Sequence, residues 1–338
     1  MKENNNPIVS VLIPAYNVSQ YVKRCLLSIQ NQTFKNFEVV IVNDGSTDNT
    51  ESVISNFIKC DSRFKMITQN NSGVSVARNR ALEESRGEYI AFVDPDDYIA
   101  KDYLSFLYSL LEKKHFQSKM ALCTIKDVFP ETQESIDHGD GTYATLTGKD
   151  CLKLMCYNDR VDTSCAAKLA KRELYFNDKF TGFPANHLFE DMATTYSLFE
   201  QCDTIECGFV SKYFYEIRSE SITTSSFNNK KLDLLMMTDQ MAKSVVEKYP
   251  DLKAATQRRQ IYARFSTLNQ TLDVKTNSIK SIQKPIVKYI NLHKRGVLKD
   301  PLTPKRDKMA CIILSFGLPF YKLMWNGYCH FILKKEIH

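Results

Sequence analysis

The octet FVDPDDYI, residues 92–99, places three carboxylates, Asp94, Asp96 and Asp97, directly after the apolar run of residues 89–93. Like charges crowded at the end of a buried strand repel one another, and they persist where solvent or a cation offsets them. Asp-x-Asp supplies hard oxygen ligands suited to Mg2+ or Mn2+, ions that take one or two carboxylates together with substrate phosphates. Asp and Pro are also common turn residues, so the octet alone reads equally well as a solvated turn.

The neighbours that would decide between these readings lie at other strand ends. Asp44 follows FEVVIVN (37–43), and Pro14, Ala15 and Tyr16 close IVSVLIP and its extension. Backbone from the first strand end, a carboxylate from the second and a metal-binding pair from the fourth could together hold a nucleoside diphosphate. The chain has no GxGxxG after the first strand and no GxxxxGK[ST], which disfavours a Rossmann dehydrogenase and a P-loop NTPase.

The elements that must position these residues alternate. Short apolar strands are expected at 8–14, 37–43, 64–68, 88–93 and 119–124. Helices are expected at 18–31, at 46–58 with Ser46 as N-cap, at 74–85 with Gly87 closing it, and at 101–114. Continuous apolar strands alternating with helices predict a mainly parallel α/β sheet covered on both faces. In such sheets ligands bind beyond the carboxyl ends of the strands. Residues 126–148 are turn-rich and read as a loop or hairpin. Helices near 149–157 and 188–201 and strands near 203–217 complete a first domain, 1–226. A basic, helical extension follows at 227–338.

The 338 residues are enough for a large α/β domain plus an appendage. The net charge of +6 is unevenly spread. Residues 227–338 carry about 21 Lys/Arg against about 8 Asp/Glu, whereas the first 226 residues are acidic. Ten cysteines without CxxC or zinc spacing, and a polar start MKENNNP with no secretory pattern, predict reduced, buried thiols and a cytoplasmic location.

VSVLIPAYN, VVIVNDGSTDNT, NNSGVSVARNRAL and GEYIAFVDPDDY, in that order and spacing, resemble the family 2 glycosyltransferases with a GT-A fold. The likeness is strong over residues 8–104. It continues more weakly through KLAKREL, LFEDMATTY and residues 215–226. The resemblance implies that Pro14, Ala15 and Tyr16 line a base pocket and that Asp44 accepts a hydrogen bond from the base, as from uracil N3–H. It implies that Arg78 contacts the base or braces the pocket, that Asp94 holds the ribose and approaches the metal, and that Asp96 coordinates Mg2+ or Mn2+. Asp97 is expected to support this shell. Plainer readings stand beside these: Arg78 as a surface residue, Tyr16 as core packing, Asp44 as an N-cap.

Inverting transfer to a hydroxyl needs a base near the anomeric carbon. Glu190-Asp191 in HLFEDMATT resembles the family's acidic pair, which implies Asp191 as base and Glu190 on sugar hydroxyls. Acids at a helix start are also favoured by the macrodipole. Lys168 and Arg218 resemble positions near the diphosphate and read equally well as exposed basic residues. Cys165-Ala166-Ala167 departs from the Trp-Asn many relatives have there. His187 reads as structural.

Near 309–333, a 13-residue apolar run is interrupted by Gly317, Pro319 and Lys322 and flanked by basic residues. It is too short to span a bilayer, which takes about 20 residues. It is expected to lie on the anionic inner face of the cell membrane, where a lipid-linked or glycan acceptor would be met; the plainer reading is a helix docked on the catalytic domain. The reading is therefore a metal-dependent transferase using a nucleotide-sugar donor, most simply UDP-linked. A nucleotidyltransferase would carry a Gly-rich basic loop after the first strand, which PAYNVSQY lacks. A nucleic-acid-binding protein would show a recognised module in the tail, and none is present.

Overall fold

β1 (Val9–Ala15) and β2 (Phe37–Asn43) are buried along their whole length, as strands covered on both faces must be. Between them runs α1 (Val22–Gln30), which packs Val22, Cys25, Leu26 and Ile29 inward. α2 (Thr50–Ile58), β3 (Phe64–Thr68), α3 (Val74–Glu83) and β4 (Tyr89–Phe92) continue the alternation. β5 (Tyr98–Ile99), α4 (Tyr103–Glu112), β6 (Met120–Phe129), β7 (Glu134–Asp137) and β8 (Tyr143–Leu146) follow. Then come α5 (Gly148–Tyr157), β9 (Lys168–Lys171), α6 (Glu190–Glu200) and β10 (Ile205–Glu216). The computed structural model describes residues 6–158, 160–218, 226–274 and 278–331.

The strands form one mixed sheet in the order β3-β2-β1-β4-β9-β6-β10-β5, with β7 beside β6 and β8 beside β10. β1 pairs in parallel with both β2 and β4, Ala15 opposite Asn43 and Leu12 opposite Phe92. The carboxyl ends of β1, β2 and β4 therefore meet at one edge, the placement the strand-end residues required. β9 runs antiparallel between β4 and β6. The stretch 126–148, expected as a loop or hairpin, contains β7, which forms a hairpin with β6, and β8, which pairs with β10.

Two helix ends differ from the sequence expectation. α2 begins at Thr50, not Ser46. Ser46 Oγ instead accepts the Asn17 N–H, and Thr47 N–H donates to Asn17 Oδ1, so the loops after β1 and β2 are latched together. Gly87 does not close α3, which ends at Glu83. A Cβ there would lie 2.5 Å from Ser10 N, and the Gly87 N–H donates to Ser10 Oγ. Backbone approach, not helix capping, explains this glycine.

The chain divides into two compact units, residues 1–151 with 160–217, and residues 152–159 with 218–338. The boundary expected near 226 lies beside residues 219–225, which are outside the described residues, as is most of the weakly resembling stretch 215–226. The second unit contains α7 (Asp233–Lys248), α8 (Lys253–Thr271), α9 (Ile279–Lys299), α10 (Lys305–Leu314) and α11 (Leu318–Phe331). Its core joins Ile261, Phe265 and Leu268 of α8 to Ile286, Ile290 and Val297 of α9 and to Cys311, Leu314 and Tyr321. Inside it Arg258 donates to Asp307 at 2.7 Å and to the Cys156 carbonyl, a buried charge with its partners supplied. The ten cysteines are free thiols, eight of them buried. Among the described residues no helix is long and apolar enough to cross a membrane.

Candidate active site

Arg78 is the hub. It sits on the buried face of α3 and is 3% exposed, so it is not a surface residue. Its Nη2 donates to Asp94 Oδ1 at 2.9 Å, and its Nη1 donates to Asp191 Oδ1 at 2.8 Å and to Glu190. The planar fork of a guanidinium suits this, because it can face carboxylates on two sides at once. The residue thus ties the strand-end acid of β4 to the acidic pair that opens α6.

Each contributor is aimed by its own element. Gly73, the N-cap of α3, has φ 92°, a conformation glycine adopts without strain. Its N–H donates to Asp44 Oδ2 at 2.8 Å, while Ser72 N–H and Gln69 Nε2 donate to Asp44 Oδ1. Asp44 is buried at the end of β2 and hooks the loop that starts α3, which fixes the direction from which Arg78 enters. The N-cap of α6 is Phe189, in a left-handed conformation (φ 61°) that costs an aromatic residue energy. The chain turns there so that Glu190 and Asp191 both fall in the first helical turn, facing Arg78.

The 94–97 loop is held by residues remote in sequence. Tyr213 on β10 accepts the Asp94 N–H at 3.0 Å and donates its hydroxyl proton to Asp97 Oδ2 at 2.7 Å. The Glu216 N–H donates to Asp97 Oδ1. Arg24 on α1 pairs with Glu216, donates to the Asp96 carbonyl at 3.1 Å and lies over the Tyr98 ring. Asp97 thus ties the 94–97 loop to β10. Burial first, then the charges of Asp94 and Asp96, push its carboxyl well above the usual range. That surplus of negative charge is what a divalent cation would relieve, so Asp94 and Asp96 fit Mg2+ or Mn2+. Among the described residues no group of three or more His, Cys, Asp or Glu is arranged to hold a metal. A two-carboxylate site would be completed by substrate phosphate.

Asp191, held on the Arg78 guanidinium, sits in surroundings that favour its protonated form. Burial raises its pKa, Arg78 opposes that, Glu190 and Asp94 raise it again and the Cys165 thiol lowers it, leaving it pushed up to about 7. Its side chain is 22% exposed, so it can be reached from solvent.

The other expected residues divide. Pro14 and Ala15 are buried at the end of β1, and Tyr16 just beyond is 47% exposed, a surface ring and not core packing. Lys168 is neither exposed nor available. It is buried on β9, and its ammonium donates to Asp162 Oδ1 and to the Ser164 and Ala166 carbonyls, using its three protons on its own loop. That corrects the expectation of a diphosphate contact. Arg218 opens the second unit, and the residues after it are outside those described. Sequence reasoning missed Asn17, Arg24, Gln69, Tyr213 and Glu216. Asn17 within PAYN was the one with a signal, since Asn tolerates positive φ (51° here) and bonds to nearby backbone.

Strand order, the shared carboxyl edge and the acids gathered there define a GT-A fold of the nucleotide-diphospho-sugar transferase type. Residues 10–174 match the model of Glycosyl transferase family 2. EpsH of Bacillus subtilis (strain 168), named as a glycosyltransferase, is 39% identical over 131 residues, 39% of this chain and 37% of that protein. TuaG of the same strain, named as a teichuronic acid biosynthesis glycosyltransferase, is 35% identical over 160 residues, 45% of this chain and 63% of that protein. The chain thus spans less than two thirds of either relative. Among solved structures, S. aureus TarS 1-349 in complex with UDP is similar with TM-score 0.65 at 21% identity, over 95% of this chain and 91% of that one. The same protein has been solved with UDP-GlcNAc.

Proposed function

We propose that this protein is an inverting, metal-dependent glycosyltransferase. It moves a hexose or N-acetylhexosamine from a UDP-linked donor to a hydroxyl of a glycan or lipid-linked acceptor in surface polysaccharide synthesis. One observation carries the reading: a single buried guanidinium, Arg78, binds both the Asp-x-Asp acid Asp94 and the Glu190-Asp191 pair. With Asp94 on the donor side and Asp191 on the acceptor side, Arg78 would bring the two halves of the reaction to one place. The UDP and UDP-GlcNAc complexes of the TarS fold support the donor class, and the name of TuaG supports the acceptor class.

Tyr16 and the β1 end would stack and line the base, with Asp44 accepting a hydrogen bond from a base N–H. Asp94 and Asp96 would hold Mg2+ or Mn2+, which supplies charge for the leaving diphosphate. Asp191 would take the acceptor hydroxyl proton as the new oxygen–carbon bond forms and the bond from C1 to the diphosphate oxygen breaks. A carboxylate poised near neutrality is a competent base there, and general bases contribute roughly 10²–10⁴-fold. Arg78 would keep Asp191 aimed, and Glu190, on the same guanidinium, would bind sugar hydroxyls.

A donor screen tests this. Melting shifts with UDP-, GDP- and dTDP-linked sugars, with and without Mn2+, should single out a UDP sugar that stabilises only with the metal. A shift with no nucleotide sugar under any condition would contradict the reading.

A further inference from the structure

We propose that the second unit docks on an anionic lipid surface through a basic stripe on α9 and an apolar ridge on α10 and α11. α9 carries Lys280, Lys284, Lys288, Arg295 and Lys299, all exposed, and has no Asp or Glu in its 21 residues. Steps of four, four, seven and four residues put these five on one helix face. The opposite face buries Ile279 and packs Ile286, Ile290 and Val297 into the core of the unit. The helix thus has one apolar face already used and one cationic face unneutralised by its own sequence.

The ridge is built by the next two helices. The apolar run of the tail is broken at Gly317 (φ 104°) into α10 and α11. Cys311, Leu314 and Tyr321 point into the core, and Met309, Ile312, Phe316, Phe320, Leu323 and Met324 point out. Phe316 is 72% and Leu323 68% exposed, and the Phe316 and Phe320 rings pack edge to face. Single exposed apolar residues are ordinary, but a contiguous set on two neighbouring helices marks an interaction surface.

The two features adjoin. Lys294 Nζ donates to Ser315 Oγ at 2.6 Å, which sets the second half of α9 beside the α10–α11 junction and Phe316. Leu292, beside Lys288, Arg295 and Lys299 on the stripe face of α9, is 71% exposed. Lys305 and Arg306, both exposed, open α10. Large apolar side chains flanked by Lys and Arg are what an interfacial helix presents to a bilayer. Each basic residue near such a surface contributes about a fivefold gain in partition. Nucleic acid would use the stripe but gain nothing from the ridge, so lipid is the occupant favoured. Of the segment expected near 309–333, residues 332 and 333 lie outside those described; α9 supplies the charge that the tail alone was expected to provide.

The inference does not rest on the transfer reaction, and its test needs no turnover. The full chain is sedimented with vesicles of phosphatidylcholine alone and of equal parts phosphatidylcholine and phosphatidylglycerol. Binding is expected only to the anionic vesicles and should fall as salt rises. Lys284→Glu/Lys288→Glu should weaken it at least about tenfold, and Phe316→Ser/Leu323→Ser should weaken it several-fold at constant salt, both with unchanged melting temperature. If Phe316→Ser/Leu323→Ser fails to fold, Leu292→Ser alone, outside the ridge helices, should still weaken binding. No binding to anionic vesicles at low salt would overturn the proposal. So would binding indifferent to the ridge substitutions and displaced by single-stranded RNA, which would assign the stripe to nucleic acid.

Discussion

Arg78 and Asp191 are 113 residues apart in sequence and 2.8 Å apart in the structure. The same guanidinium reaches Asp94 at 2.9 Å, so one residue of α3 fixes the spacing between the end of β4 and the start of α6. The site is therefore a charge balance. Three carboxylates from distant elements share one buried cation, and two further acids, Asp96 and Asp97, stand beside Asp94.

That balance predicts a pH profile. A base must be ionised to work, so kcat/KM should rise about tenfold per pH unit below an apparent pKa near 7 and level off above it. Stability should run the other way. The folded state holds the Asp191 proton more tightly than the unfolded chain, a contribution fully present below the ordinary carboxylate pKa and lost as pH rises through about 7. Melting curves of wild type and Asp191→Asn should therefore diverge between pH 5 and 8, the variant gaining on the wild type. Parallel curves would mean that Asp191 titrates normally.

Removing the hub should be severe. Arg78→Ala leaves the buried acids without their cation, and breaking a buried pair in this way costs about 3–5 kcal/mol. Arg78→Lys restores charge but not the fork, so urea unfolding should place it between the wild type and Arg78→Ala. A lysine variant as stable as wild type would argue that charge alone suffices.

Tyr213→Phe deletes one oxygen that serves two loop partners, the Asp94 N–H and Asp97. Leaving them unpaired should cost about 1–3 kcal/mol in urea unfolding. The affinity for UDP with Mn2+ should fall as well, since the 94–97 loop loses its tether; calorimetry would detect it. Unchanged UDP–Mn2+ affinity would dissociate the tether from the donor site.

Lys168→Met separates a structural lysine from a donor contact. Its partners are Asp162 and two carbonyls on its own loop, so the melting temperature should drop while UDP affinity in the folded protein stays the same. A several-fold loss of UDP affinity would return Lys168 to the site.

What the sequence disclosed follows from what is local. β1, β2 and β4 were legible because strands buried on both faces are written as unbroken apolar runs, and parallel pairing then forced Asp44 and Asp94 to one edge. Ser46 and Gly87 were misread because their local propensities, capping and helix closure, yielded to distant partners, Asn17 and Ser10. β5 has two residues and exists through its pairing with β10, so no periodicity could announce it. Tyr213 reads in sequence as one more strand aromatic. Its hydroxyl matters only because the sheet order carries β10 beside the 94–97 loop. Lys168 shows the converse, a residue in the right motif whose protons are consumed by its own loop.

The most direct measurement is UDP release from the UDP sugar singled out by the donor screen, in wild type, Asp96→Asn and Asp191→Asn, alongside UDP–Mn2+ binding to each. Wild type should turn over with Mn2+ and stop in chelator. Asp96→Asn should lose both metal-dependent binding and turnover. Asp191→Asn should bind as wild type does and release UDP roughly 10²–10⁴-fold more slowly. Undiminished release by Asp191→Asn, or by wild type in chelator, would contradict it.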